Sequence, residues 1–161
     1  MRWFNRCLSS ILLLPLPFQA QFQQIDGARW VDRISQCYQE SKLNPQAVSS
    51  CGARGIAQFM PATAKQYGLT DPTDVPASIR ANQTYMLRLE AQTHGDWDAA
   101  LCSYNAGYGN YQKAEWLAEQ LGGNTTWQQT MSHVIKDSEQ PINYVKRIHG
   151  WKQQIQKQLG R

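Results

Sequence analysis

The chain lacks the signatures on which several common chemistries depend. It has no G-x-S-x-G elbow for an activated serine, no GxxxxGK loop to cradle a phosphate and no H-E-x-x-H zinc helix. Its three histidines, His94, His133 and His149, stand apart at no ligand-like spacing, so no metal site and no cofactor are expected. Cys7 falls in the N-terminal segment, and Cys37, Cys51 and Cys102 leave an odd number that matches no zinc spacing. Buried free thiols are the default for these three, with one disulfide among them open in an oxidising compartment. Charge is also sparse, at 17% of residues. The net +4 is scattered apart from a modest excess in Lys146, Arg147, Lys152, Lys157 and Arg161. A nucleic-acid binder needs a concentrated basic stripe on a recognisable module, so nucleic-acid recognition is not expected. Attraction to an anionic polymer accounts for the same charge.

Nor is there a confident membrane span, which takes about 20 apolar residues. The first residues, MRWFNRCLSSILLLPLPFQAQ, have a basic head (Arg2, Arg6) and an uncharged stretch from Leu8 to Phe18 that reaches Ala20. That is the layout of a secretory signal. Pro15 and Pro17 would disturb a spanning helix, and Phe18 sits where a cleavage site prefers a small residue. A retained, membrane-seeking arm is the competing reading, with membrane contact through residues 1–20. On either reading, residues 1–24 form a leader outside a folded domain at 25–161.

What is present is a helical pattern. The 161 residues, 42% of them hydrophobic, suit one compact domain with a core. In DGARWVDRISQCYQES, Trp30, Val31, Ile34, Cys37 and Tyr38 recur at steps of three and four. Asp26 is a candidate cap for this helix, and Asn44-Pro45 stops it. SSCGARG reads as a tight loop, and Pro61 opens a short helix that Gly68 closes. A longer helix is expected from Ser78 to His94, and Asp96 should cap another that ends near Gly107. Glycines punctuate the next stretch, and Trp127, Met131, Val134 and Ile135 carry a further stripe. Pro141 starts the last helix, with Tyr144, Val145, Ile148, Ile155 and Leu159 on one side. No strand and no internal repeat is evident, so the class is mainly α.

Glu40 ends the first apolar stripe. A carboxylate held against aromatic surface is desolvated, which raises its pKa towards that of a usable acid. Six Trp and seven Tyr could offer flat rings to a ligand or simply fill the core. Polar residues interrupt two apolar runs, Gln58 in GIAQFMP and Tyr104-Asn105 in SYNAG. Burying them unpaired would be costly, and a groove satisfies them. One acid beside an amide-lined, aromatic groove suggests cutting of a sugar polymer.

The blocks ESKLNPQAVSSCGARGIAQFMPATAKQYG, SYNAG and NYV, in this order, resemble the SLT-type lytic transglycosylases of the lysozyme-like superfamily, over roughly residues 30 to 150. The resemblance implies a lysozyme-like (goose-type or SLT-type) helical domain with a substrate groove. It places the catalytic glutamate of a Glu-Ser motif on Glu40, followed by Ser41. The serine that contacts the reacting sugar falls on Ser49. The Gly-Leu-Met-Gln motif reads Gly55-Ile56-Ala57-Gln58, giving Gln58 as the substrate-binding amide and Met60 as an apolar contact. The Ala-Tyr-Asn-Ala-Gly motif begins with Ser103 and places Tyr104 and Asn105 in the groove. The late Glu and Tyr fall on Glu139 and Tyr144.

The implied activity is non-hydrolytic cleavage of peptidoglycan between N-acetylmuramic acid and N-acetylglucosamine, giving 1,6-anhydro ends. Most glycosidases use two carboxylates; this family is expected to manage with one acid and no cofactor. A hydrolytic goose-type-like muramidase, with Asp71 or Asp74 positioning water, is the enzymatic alternative, although both read better as caps or turns. A non-catalytic wall-binding component is the other alternative. The implied setting is the periplasm or a phage virion, and the implied partners are glycan strands and components of a virion, secretion or conjugation machine.

Overall fold

A computed structural model of the protein describes residues 16–160. The expected leader lies outside the described residues as far as residue 15. Its remainder does not stand apart from the domain. Leu16 and Phe22 are buried in the core, and α1 (Gln19–Asp26) packs against the helix that carries Glu40. In sequence, residues 16–24 read as leader because their uncharged run continues the N-terminal segment; in the fold that apolar surface faces inward.

A single 3₁₀ turn, Gly27–Arg29, separates α1 from α2 (Trp30–Ser41). Asp26 therefore does not cap α2. It ends α1 and lies 3.7 Å from the guanidinium of Arg33, which is itself buried and bound to Glu90 at 3.0 Å. Burial pushes the Asp26 carboxyl up to about 6, although Arg33 and Arg29 pull it down. The Trp97 ring lies 4.8 Å from the Arg29 guanidinium and 4.9 Å from that of Arg33. Charged groups rarely enter a core unpaired; here they clasp four helices together.

Downstream, α3 (Pro61–Gln66) has proline at its first turn. α4 (Val75–Gln92) starts three residues before Ser78, because Asp74 caps it by accepting from the Ala77 N–H at 2.9 Å. Asp96 caps α5 (Trp97–Ala106) in the same way at 3.0 Å. α6 (Tyr108–Leu121) fills a stretch that reads in sequence only as glycine punctuation. α7 (Trp127–Thr130) and the turn Met131–His133 form one short corner. α8 (Glu139–Gln158) begins two residues before Pro141 and lies along both α2 and α5. The bridges Val48 to Arg54 and Arg54 to Phe59 are the only extended pairings among the described residues.

The core has two parts. One joins α1, α2, α3 and the start of α4 to Ile155. The other joins the end of α4 to α5, α6, α7 and the first half of α8. Among the described residues no helix is long and apolar enough to cross a membrane. Cys37 and Cys102 are free and buried, and Cys51 is free and exposed.

Candidate active site

Glu40 lies on the last turn of α2, one turn beyond Gln36 and Cys37 and on their face of the helix. It is partly buried at the seam between the two core regions. Tyr144, buried on α8, donates its hydroxyl to Oε1 of Glu40 at 2.5 Å. Burial raises the Glu40 carboxyl from 4.5 to about 7, and the Tyr144 hydrogen bond opposes the rise without cancelling it. Near neutral pH such a group is divided between acid and carboxylate, so it can give a proton and take one back. Burial, and then the Glu40 charge, push the Tyr144 phenol well above its usual range, so it stays an O–H donor.

The loop after α2 is tied to this end of the helix. The Ser41 hydroxyl donates to the Ile56 carbonyl at 2.8 Å. Gly55 has φ +80°, and a Cβ there would meet the Pro72 carbonyl oxygen at 1.9 Å, so only glycine fits. The Gln58 amide spends both N–H groups inside the loop, on the carbonyls of Ala47 (3.2 Å) and Gly55 (2.9 Å). Its Oε1 is left as an acceptor for a ligand. Ser49 shows the converse: its Oγ accepts from the Ala53 N–H at 2.9 Å, and its own proton remains to be donated. Met60 is 44% exposed at the start of α3 and presents apolar surface.

From α5, Tyr104 donates its hydroxyl to the Ala57 carbonyl at 2.6 Å, a second bond across the seam. Its ring lies 5.1 Å from Tyr85 and 6.3 Å from Phe59. Asn105 follows it, partly exposed on the same turn. These contacts gather Glu40, Tyr144, Tyr104 and the Ser49–Met60 loop. Glu139 is not drawn in: it is exposed on the first turn of α8, with no hydrogen bond or ion pair to Glu40. Asp71 accepts from Thr73 in a turn and Asp74 caps α4, so neither is paired with Glu40.

Two residues of the site escape a reading of the sequence. Gln36 and Asn82 are fully buried amides beneath Glu40, with Asn82 Nδ2 donating to Gln36 Oε1 at 3.4 Å. A signal for Gln36 is present: an amide one helical turn before Glu40, beside an apolar stripe. Nothing in the sequence marks Asn82, which sits mid-helix in α4. A cleft of about 400 Å³ lined by Arg54, Phe59, Lys65, Leu69 and Pro72 does not reach Glu40. The site is therefore marked by its chemistry and not by that cleft.

Comparison with known proteins identifies the family and the fold. The family model described as Transglycosylase SLT domain matches residues 36–126. A membrane-bound lytic murein transglycosylase F from Alcanivorax borkumensis is 36% identical over 135 residues, covering 79% of this chain and 29% of that protein. Its counterpart in Vibrio campbellii is 35% identical over 130 residues, covering 76% of this chain and 24% of that protein. The chain thus spans less than a third of the length of these relatives. Among solved structures, the 70 kDa soluble lytic transglycosylase of Escherichia coli superposes with TM-score 0.72 at 20% identity, over 91% of this chain and 25% of that one. An inactive mutant of lytic transglycosylase Slt from Pseudomonas aeruginosa gives TM-score 0.69 at 18% identity, over 93% of this chain and 25% of that one. At these identities the likeness speaks for the fold.

Proposed function

The chain belongs to the transglycosylase SLT domain family, and from that premise we propose that it is a peptidoglycan lytic transglycosylase. It cleaves the β-1,4 bond between N-acetylmuramic acid and N-acetylglucosamine and leaves a 1,6-anhydro end. The observation that carries this reading is the desolvated acid Glu40, pushed up to about 7 with Tyr144 on one of its oxygens. The nearest candidates for a second, water-activating carboxylate have other roles: Asp71 accepts from Thr73 in a turn and Asp74 caps α4.

Glu40 starts protonated and gives its proton to the glycosidic oxygen as the bond to the anomeric carbon breaks. The substrate's own 2-acetamido oxygen shares its electrons with that carbon. Glu40, now a carboxylate, takes the proton from the C6 hydroxyl of the same sugar as that oxygen closes on the anomeric carbon. Atoms balance without water, and the acid returns to its starting state. The intramolecular hydroxyl has a far higher effective concentration than a loosely held water. Ser49 supplies a donor and Gln58 an acceptor, the pair needed to hold an acetamido group by its C=O and N–H. Met60 adds apolar contact, and Tyr104 and Asn105 bind further along the groove.

Such a polymer lies outside the cytoplasm. The setting is accordingly extracytoplasmic: the periplasm, or a virion, secretion or conjugation machine that must cross the wall. The membrane-bound relatives support the periplasmic arm.

Two measurements test the reading. Glu40→Gln keeps the shape of the side chain but cannot donate and reclaim a proton, so it should abolish clearing of purified murein with an unchanged circular dichroism spectrum. Normal clearing would sink the assignment, and a fold that bound murein without cutting it would be a wall-binding component. Mass spectrometry of wild-type digests should show 1,6-anhydromuropeptides, lighter by one water than hydrolytic products. Reducing-end muropeptides as the main species would make the protein a muramidase.

A further inference from the structure

Beside the loop that carries Ser49 and Gln58 lies the cleft of about 400 Å³, which the proposed reaction leaves unused. That volume is within the range of small-ligand sites. Its floor is apolar, formed by the buried Phe59 and Leu69, and its rim carries the exposed Pro61, Arg54 and Lys65. Neither cation is in an ion pair among the described residues. The carboxylates next in the chain are engaged elsewhere. Asp71 accepts from the Thr73 N–H at 2.8 Å and from its hydroxyl at 2.7 Å, and Asp74 caps α4. Those Thr73 bonds, and more weakly the Arg54 charge, hold the Asp71 carboxyl below its ordinary value. Two cations on the rim of an apolar hollow are complementary to an anion with short apolar side chains.

The cleft shares its walls with the sugar groove. Arg54 and Phe59 exchange both backbone N–H to carbonyl bonds, at 3.0 and 2.9 Å, and so close the turn that ends in Gln58. On the same turn Gly55 lies against the Pro72 carbonyl, and Pro72 also lines the cleft. The Phe59 ring faces that of Tyr104 with centroids 6.3 Å apart. Met60, the apolar contact assigned to the groove, is followed directly by Pro61 on the cleft rim. From Gln58 to Pro61 the chain spans at most about 11 Å.

We propose that this cleft binds the short peptide borne by the muramic acid of the substrate. Arg54 and Lys65 take its carboxylates, and the apolar floor takes its methyl side chains. The proposal rests on the polymer being peptidoglycan. The glycan of that polymer is uncharged, whereas its peptides combine small apolar side chains with free carboxylates, the chemistry that this rim and floor complement. An extended peptide of four residues reaches about 14 Å, enough to pass from a sugar held at Gln58, over Met60, to the rim at Pro61. Occupation of the cleft would also brace the Arg54–Phe59 pairing that holds Gln58 towards the sugar. Arg54 and Lys65 are therefore specificity-determining residues that select peptide-bearing strands over bare ones.

The test compares the full chain with the double variant Arg54→Gln, Lys65→Gln, in which two exposed side chains lose their charge. One measurement is the ratio of kcat/KM on peptide-bearing glycan strands to that on strands stripped of peptide by an amidase. Each exposed ion pair is worth a few-fold in binding, so the double variant should lower the ratio roughly 5- to 30-fold, mainly through KM. Lys65→Gln alone, on α3 and outside the Gln58 loop, should lower it part of the way, and Arg54→Lys should keep most of it. The second measurement titrates the free peptide L-alanyl-γ-D-glutamyl-meso-diaminopimelyl-D-alanine into isotope-labelled protein. Amide shifts should appear at Arg54, Lys65 and Leu69, weaken with added salt and vanish in the double variant. An unchanged ratio, shifts confined to Ser49, Gln58 and Asn105, or equal affinity in the double variant would overturn the proposal. So would binding of anionic lipid vesicles through these two residues with no response to the peptide. The titration breaks no bond, so a protein that bound the peptide in the cleft but cut neither strand would uphold the cleft and refute the reaction.

Discussion

Replacing Glu40 by Gln should make the protein more stable at alkaline pH while leaving it nearly unchanged in acid. The folded state holds the Glu40 proton to about pH 7, whereas the ordinary value for the group is 4.5. A carboxyl with a raised native pKa contributes its full stability below the unfolded pKa, and that contribution is lost as pH rises through the folded one. A shift from 4.5 to about 7, at about 1.4 kcal/mol per unit, amounts to about 3 kcal/mol. Because one side of the carboxylate still faces solvent, about 2 to 3 kcal/mol is the expected size. Glutamine has the same outline, still accepts from the Tyr144 hydroxyl through its Oε1, and does not ionise. Urea unfolding of both proteins at about pH 4.5 and about pH 8 measures the difference directly. The variants should be near parity in acid, with the Gln form more stable by about 2 to 3 kcal/mol in base. Other titrating groups such as Asp26 are present in both proteins and cancel. A pH-independent difference, or a Gln variant less stable at about pH 8, would show that Glu40 is solvated and would refute the desolvation argument.

The remaining expectations are more local. Gly55→Ala combines a φ of +80° with a clash against the Pro72 carbonyl, so it should destabilise by about 2 to 5 kcal/mol and displace Gln58, read as a lower thermal midpoint and weaker murein clearing together. Asn105→Ala should reduce activity by roughly one to three orders of magnitude with little change in stability, since a groove hydrogen bond is worth about 0.5–1.5 kcal/mol net and more where a partner is left unpaired. Gln58→Ala and Tyr104→Phe should lose activity to a similar extent but also soften the loop, because each also removes a bond to a backbone carbonyl. Wild-type rates in all three of these variants would end the groove assignment.

Much of the site is legible in the sequence because its chemistry is local. Glu40 is marked by an apolar stripe that ends on it. Gln58 and Asn105 are marked as polar residues in runs that ought to be apolar. The caps at Asp74 and Asp96 are readable for the same reason, each being set by a side chain and an N–H three residues on. Where the sequence misleads, the deciding partner lies on another element. Asp26 looks like a cap because Asp is common at helix starts, but its neighbours are Arg33, a helix later, and Arg29. Residues 16–24 look like leader because nothing local shows that Phe22 will be covered. α6 is hidden by the glycines at both its ends.

The same distinction explains why Gln36 and Asn82 go unseen while Glu40 does not. An acid at the end of an apolar stripe is conspicuous in one dimension, whereas the group that directs it, Tyr144, lies 104 residues away. Gln36, buried one turn before Glu40, is bonded in turn from a helix 46 residues beyond it. A sequence displays the residue that does the chemistry, because that residue violates the local pattern of its own helix. Residues buried beneath it violate nothing until α2, α4, α5 and α8 are brought together, since one Gln on a half-polar helix and one Asn in a mid-helix run are ordinary. Their place beneath Glu40 is a property of the assembled seam.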